Sequence, residues 1–313
     1  MTFFDAHCDT VQKITDFGGG LFENTYHIDI KRILNTKHKH IQVFAAFIDK
    51  KNDALAPFSR CGQMIDRYYA EIERNKGLIS HCNGFDNIKT ALGNGKIASL
   101  LSVEGGEAIE GSLEKLSELY FRGVRILTLC WNYPNEITGS IAEENGGGLS
   151  AFGKAVVRKM NDLGMLIDVS HISEKGFWDV LETTKKPIAA THSNSKSICR
   201  HKRNLSDEQI RGVIKNGGCI GINLYSKFLS EKGTCAGITD ILRHIEHILS
   251  LGGENNIGFG SDFDGMDSLP NGIENVGDIH KIFDEMRRIG YSESLIKKIS
   301  SENFLNLMQK ILI

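Results

Sequence analysis

The stretch Phe3-Phe4-Asp5-Ala6-His7-Cys8-Asp9-Thr10 decides the architecture. Its apolar opening reads as a strand, from which His7 and Asp9, two residues apart, leave one face while Cys8 leaves the other. The turn that follows is His-Cys-Asp-Thr. It lacks the glycines with which an open, doubly wound sheet cradles a phosphate at its first strand-to-helix turn. Gly18-Gly19-Gly20 comes after a helical or loop stretch and not after a strand, so it reads as a loop. An imidazole beside a carboxylate suits a divalent ion such as zinc.

Seven further runs rich in Val, Ile, Leu and Phe follow, at 41–48, 97–103, 124–129, 165–170, 187–191, 219–224 and 256–260. Several are continuously apolar, as parallel strands covered on both faces are. Helical patterns separate them. Ser206-Asp207-Glu208-Gln209 is a capping box, Ile210, Val213 and Ile214 form a buried stripe, and Gly217 is placed to end that helix. Ile241, Leu242, Ile245, Ile248 and Leu249 make a second stripe; Leu113, Leu116 and Tyr120, opened by Ser112 and closed by Gly123, make a third. Strand then helix, eight times over, predicts an α/β fold, a parallel (β/α)8 TIM-type barrel. With no repeat, linker or composition break, residues 1–313 read as one catalytic domain. A helical insertion is expected at about 50–94, around Ile65, Tyr68, Tyr69 and Ile72, and a closing helix at about 292–313.

Composition narrows the function classes. A chain of 313 residues that is 41% hydrophobic fills one large core, and a net charge of −2 with mixed signs gives no reason to expect nucleic acid or an anionic membrane. No apolar run approaches the roughly 20 residues that span a bilayer, and Met1-Thr2-Phe3-Phe4-Asp5 lacks the basic start and apolar core of a signal peptide. A cytoplasmic protein is expected. Its seven cysteines are scattered singly with no Cys-x-x-Cys, and are expected to be reduced and mostly buried. Asn204-Leu205-Ser206 matches the glycosylation pattern, which carries no meaning in that compartment.

In a barrel, chemistry sits at the carboxyl ends of the strands. The first predicted strand ends in His7 and Asp9, the third in Glu104, the fifth in His171, the sixth in His192 and the eighth in Asp262. Asp264 competes with Asp262, which ends its strand directly. The histidines at 38, 40, 244 and 247 read as solvated or boundary positions, and His27, His81 and His280 show no partner pattern. His7, Asp9, Glu104, His171 and His192 are one ligand more than a tetrahedral zinc takes, before any open position for water. A shared carboxylate resolves the count: Glu104 bridges two zinc ions about 3.5–4 Å apart, one also held by His7 and Asp9, the other by His171 and His192.

These blocks resemble the membrane dipeptidase (renal dipeptidase) family of zinc peptidases, including its bacterial members. The resemblance covers nearly the whole chain and is carried by Asp5-Ala6-His7-Cys8-Asp9, Ser102-Val103-Glu104-Gly105-Gly106, Asp168-Val169-Ser170-His171, Thr191-His192-Ser193, Arg203-Asn204 and Gly260-Ser261-Asp262-Phe263-Asp264-Gly265. It implies a TIM-type barrel of the metal-dependent hydrolase kind, the same five metal ligands with Glu104 as bridge, Asp262 as the acid–base group and Arg203 as a substrate-binding residue. It also implies a dipeptidase that tolerates a D-residue at the carboxyl-terminal position and attacks with a hydroxide bridging two Zn2+. Where many members have a histidine after strand four, this chain reads Thr128-Leu129-Cys130-Trp131-Asn132. An indole donates one hydrogen bond and carries no proton. Trp131, Asn132 and Tyr225 join Arg203 as expected substrate contacts. The animal members' secretion and lipid anchor are not expected here.

The expected partner is a small dipeptide, with a homodimer as the default assembly. The nearest alternative is another binuclear metal amidohydrolase, acting on a cyclic amide or an N-acyl amino acid. Many of those bridge their metals through a modified lysine ending strand four, and this chain has none there. A non-catalytic metal-binding barrel is the alternative of a different class, supported by Trp131. For Arg203 the competing reading is a solvated residue of the basic run Arg200-His201-Lys202-Arg203.

Overall fold

The structure, a computed structural model, describes residues 1–49, 51, 53–233 and 236–312. Cys235 lies outside the described residues, as do Lys50 and Ile313 at the margins of the expected insertion and closing helix. Nine strands form one all-parallel sheet: β1 Thr2–Asp5, β2 Lys39–Phe47, β3 Ile79–His81, β4 Ile97–Glu104, β5 Val124–Thr128, β6 Leu166–Asp168, β7 Ala189–Ala190, β8 Cys219–Ile222 and β9 Ile257–Phe259. Eight of them close into a barrel. β1 joins β9 through Asp5 and Phe259, and β2 joins β4 in register from Ile41 opposite Ala98 to Phe47 opposite Glu104. All eight predicted strands are present, most of them shorter than their apolar runs. β3, hydrogen-bonded only to the start of β4, was not foreseen. It sits between the helices Pro57–Arg74 and Phe85–Gly93, in the stretch that reads as helical from sequence.

One apolar cluster joins Phe4, Ile41, Val43, Ala98, Leu100, Ile126, Leu166, Ala189 and Cys219. Side chains from seven strands meet in one cluster only inside the ring. The helix Asn303–Ile311 plugs its amino-terminal end with Phe304, Leu307, Met308 and Ile311, Phe304 stacking on Phe4 at 5.2 Å and 14°. A Cβ on Gly258 would come within 2.5 Å of the Phe304 ring, which is why glycine stands there. Because side chains alternate along a strand, Glu104 shares the inward face with Ala98 and Leu100, and Asp168 shares it with Leu166. The apolar plug at one end therefore leaves the polar ends of the strands at the other.

The helix signals hold in detail. Ser206 and Gln209 make the reciprocal capping box of the helix Asp207–Asn216, and Gly217 ends it in a left-handed conformation at φ 73°. Ser112 caps the helix Leu113–Phe121, whose buried face is Leu116 and Leu119, with Leu113 and Tyr120 half-buried. Asn204 is buried and donates to the carbonyls of Cys199 and Phe228, so the glycosylation-like triplet is part of the packing. The six described cysteines are buried and unpaired. No described helix is long and apolar enough to cross a membrane.

Two histidines read as surface or boundary positions lie in the core. His40 packs on Phe3, and His244 is fully buried. The reason is local satisfaction: His244 Nδ1 accepts from the Ser195 amide at 3.1 Å and Nε2 donates to the Leu229 carbonyl at 3.0 Å. Burial pushes its pKa down to about 4. The unfolded chain, titrating near 6.5, takes up the proton first. The stabilising contribution is therefore complete above that pH and is lost as pH falls toward 4, at about 1.4 kcal/mol per pKa unit. His244→Gln should cost most stability above pH 7 and progressively less toward pH 4 in denaturant melts; a pH-independent penalty contradicts this assignment.

Candidate active site

Six sequence-predicted residues meet at the carboxyl ends of the strands. β1 stops at Asp5, so His7 and Asp9 project from the segment just beyond it, while Cys8 turns into the apolar core. Glu104 ends β4. His171 and His192 lie just past β6 and β7, and Asp262 just past β9. Among the five described non-glycine residues with positive φ, three are His171 (68°), Asp262 (62°) and Asp264 (72°). Such backbone costs of order 1–3 kcal/mol each and is held in place by the surrounding packing.

The two carboxylate oxygens of Glu104 face different partners. Oε2 lies 3.3 Å from His7 Nε2, whereas Oε1 lies 3.0 Å from His171 Nε2 and 3.3 Å from His192 Nε2. The tautomers follow from the outer hydrogen bonds. His171 Nδ1–H donates to Asn132 Oδ1 at 3.0 Å. Thr191 Oγ1 donates to Asp168 Oδ2 at 2.6 Å, which leaves it as acceptor for His192 Nδ1–H at 2.8 Å. Both Nε2 atoms are then bare lone pairs, 3.0 Å from each other and aimed at the same carboxylate oxygen. Three acceptors converging in a buried space with no proton between them repel unless a cation sits among them. Burial, reinforced by Arg203, holds His171 down to about 4, and burial, reinforced by His7, holds His192 down to about 3, so both rings are neutral at neutral pH.

The other side of Glu104 is built differently. His7 Nε2 is 3.6 Å from Asp9 Oδ2, and Asp262 offers a carboxylate oxygen within 4.8 Å of both residues. His7 Nε2 and Asp9 Oδ1 are buried without a hydrogen-bond partner. Burial works against a charged His7, yet Glu104 and Asp9 outweigh it and raise its pKa well above the ordinary value. A Cβ on Gly265 would come within 2.2 Å of Asp9 Oδ2 and 2.7 Å of Asp262 Oδ1, so only glycine leaves these carboxylates their places. Imidazole and carboxylate donors, orphaned on one side and mutually repelling on the other, fit divalent ions.

Asp262 and Asp264 have separate surroundings. Asp264 accepts from Thr10 Oγ1 and from the His27 amide at 2.7 Å, and its own amide donates to His27 Nδ1 at 2.9 Å. Asp262 Oδ2 accepts one bond, from Asn223 Nδ2 at 2.8 Å. Burial, helped by Asp9 and Glu104, pushes the Asp262 carboxyl up to about 7. Asn223 and Asp168 went unassigned in the sequence. Asp168 accepts hydrogen bonds from the hydroxyls of Thr128, Ser170 and Thr191, tying the ends of β5, β6 and β7 together. The available signal was position: Asn223 is a polar residue inside the apolar run Ile222-Asn223-Leu224, and Asp168 ends an apolar strand.

Above this cluster opens a cavity of about 520 Å³, whose walls include Arg203, Trp131, Asn132 and Tyr225. Arg203 is 6% exposed, which rules out the solvated reading. Its Nη2 donates to the His192 carbonyl at 3.4 Å, its Nε has no partner, and its guanidinium lies 5.6 Å from the Phe228 ring centroid. Trp131 stands edge-on between Phe47 at 4.8 Å and Tyr133 at 5.6 Å, forming an aromatic wall. Asn132 lines the cavity, but its amide oxygen is committed to His171.

A (β/α)8 barrel that gathers histidines and carboxylates at the carboxyl ends of its strands has a metal-binding donor set where barrel enzymes place their chemistry. The chain matches the family model of membrane dipeptidase, peptidase family M19, over residues 1–312, and it belongs to that family. It is 31% identical to an uncharacterised Klebsiella pneumoniae protein of the pqqA 5′ region, across 80% of this chain and 98% of that one. It is 33% identical to an uncharacterised dipeptidase of Schizosaccharomyces pombe across 83% of this chain, spanning 65% of that protein's length. Among solved structures, a family M19 metallopeptidase described as dipeptidase AC superposes with a TM-score of 0.89 at 27% identity, covering 100% and 99% of the two chains. A Rhodobacter sphaeroides metallopeptidase, liganded with a phosphinate mimic of the dipeptide L-Ala-D-Ala, gives 0.89 at 25% identity, covering 99% of each. Family membership makes this chain a metal-dependent hydrolase of dipeptides.

Proposed function

We propose that the enzyme is a two-zinc dipeptidase, with His7 and Asp9 holding one ion, His171 and His192 the other, and Glu104 bridging them. The observation that carries the reading is the division of Glu104, Oε2 toward His7 and Oε1 toward the two neutral imidazoles. Two ions held by these residues would supply an activated water at neutral pH and Lewis-acid polarisation of the scissile carbonyl. The chain's own residues do the rest. Asp262, held by Asn223 and buried so that its protonated form is favoured, takes the proton of the attacking water and returns it to the leaving amine. Asp264, with its oxygens already bonded to Thr10 and His27, is less free for that role.

Arg203 receives the free carboxylate of the dipeptide, since a buried guanidinium with unused donors is matched by two carboxylate oxygens. Trp131 carries no proton, so its part is to wall the cavity with Phe47 and Tyr133. Tolerance of a D-residue at the carboxyl-terminal position is supported by the L-Ala-D-Ala mimic held by the Rhodobacter relative. A cytoplasmic location accords with the six unpaired cysteines. Hydrolysis of L-L and L-D dipeptides that stops on chelation, with an N-acylated dipeptide spared, is the expected result. Cleavage of N-acyl or cyclic amides instead would transfer the site to the amidohydrolase reading. Arg203→Ala should raise KM for free-carboxylate dipeptides by about 10–100-fold. An equal loss on amidated substrates would count against the carboxylate contact.

A further inference from the structure

We propose that Lys202 makes the enzyme selective for dipeptides with an acidic side chain on the residue whose α-carboxylate reaches Arg203; this rests on the dipeptidase reading above. The cavity lining carries four carboxylates and four cations, but the carboxylates are committed elsewhere. Asp9, Glu104 and Asp262 belong to the metal-facing cluster, and Asp264 is bonded to Thr10 and His27. The remaining charged groups of the lining are cations: Lys13, Lys202, Arg203 and Lys227. Lys227 is already paired with Asp267 at 2.9 Å. Lys202 instead donates to a neutral acceptor, the Ala142 carbonyl, at 3.2 Å. That bond links the turn bearing Arg203 to the loop that runs on from Trp131 and leaves the exposed ammonium in the cavity lining without a carboxylate partner among the described residues.

Connectivity of the substrate supplies the next step. The last side chain of a dipeptide hangs from the carbon that bears the α-carboxylate. With that carboxylate on Arg203, the side chain falls among Arg203's neighbours. These are Lys202, the paired rings of His201 and Phe228 at 4.5 Å, and Tyr225, 4.7 Å from Phe228. The rings receive a methylene stem, and the ammonium receives a terminal carboxylate. A basic side chain in the same place meets like charge from Lys202 and Lys227. Both lysines are exposed, so the attraction is of the modest, salt-sensitive kind.

The test compares kcat/KM for alanyl-glutamate and alanyl-glutamine, the isosteric pair, in whichever stereochemical form is cleaved, with alanyl-lysine as the like-charge control. We expect glutamate to exceed glutamine by about five-fold at low salt, through KM, with lysine below both. The ratio should collapse at about 0.5 M NaCl. In Lys202→Met it should fall toward one, and in Lys227→Met, whose charge is already paired, it should fall less. Equal cleavage of the glutamate and glutamine dipeptides by the wild type, or a Lys202→Met variant that keeps the ratio, overturns the proposal while leaving the dipeptidase reading standing. Absence of cleavage for every dipeptide removes both.

Discussion

Asp262→Asn should keep its metal and lose turnover by about 10²–10⁴-fold. The substitution is close to isosteric, and the new side-chain oxygen still accepts from Asn223, so the loop and its left-handed backbone at φ 62° have no reason to move. What disappears is a carboxylate able to take a proton, in a place where burial favours its protonated form. Metal analysis and steady-state kinetics on one sample separate the possibilities. Unchanged metal with kcat down and KM near wild type is the expected pattern. An unimpaired variant refutes the acid–base role, and a variant that loses metal makes Asp262 a ligand.

Glu104→Gln should abolish metal retention, lowering affinity by at least about 10²-fold, and with it activity. The argument is electrostatic. In the wild type, bare Nε2 atoms of His171 and His192 converge on Oε1 with no proton to share. An amide places N–H donors there, satisfies the imidazoles and removes the negative charge that draws cations in. In the metal-free protein the amide relieves the repulsion at His171 and His192 but removes the carboxylate that pairs with His7, so the two effects on melting oppose each other and metal content carries the test. A variant that retains its full metal content would overturn the assignment of Glu104 as a ligand.

The parts of the molecule legible in the sequence are those fixed by local pattern. Continuous apolar runs gave the eight barrel strands, and the Ser206 to Gly217 helix was readable at both ends because caps are local chemistry. Convergence of His7, Asp9, Glu104, His171, His192 and Asp262 followed from the barrel rule once the strands were right. Strand lengths were less legible: β7 pairs over two residues because the chain turns toward the site at Thr191, where Asp168 claims the backbone amide. His40 and His244 were misplaced because a polar residue beside an apolar stripe reads as a boundary unless its partners are known. Those partners, Gln42 for one ring and Ser195 and Leu229 for the other, come from tertiary packing. Asn223 was missed for the same reason, since its role depends on a carboxylate 39 residues away.

Zinc content measured against activity tests the central claim most directly. Stripped protein titrated with zinc should gain dipeptidase activity in proportion to a second equivalent per chain and plateau at two, since Glu104 divides its oxygens between two sets of donors. Full activity at one zinc per chain or fewer would contradict the shared carboxylate and the reaction built on it.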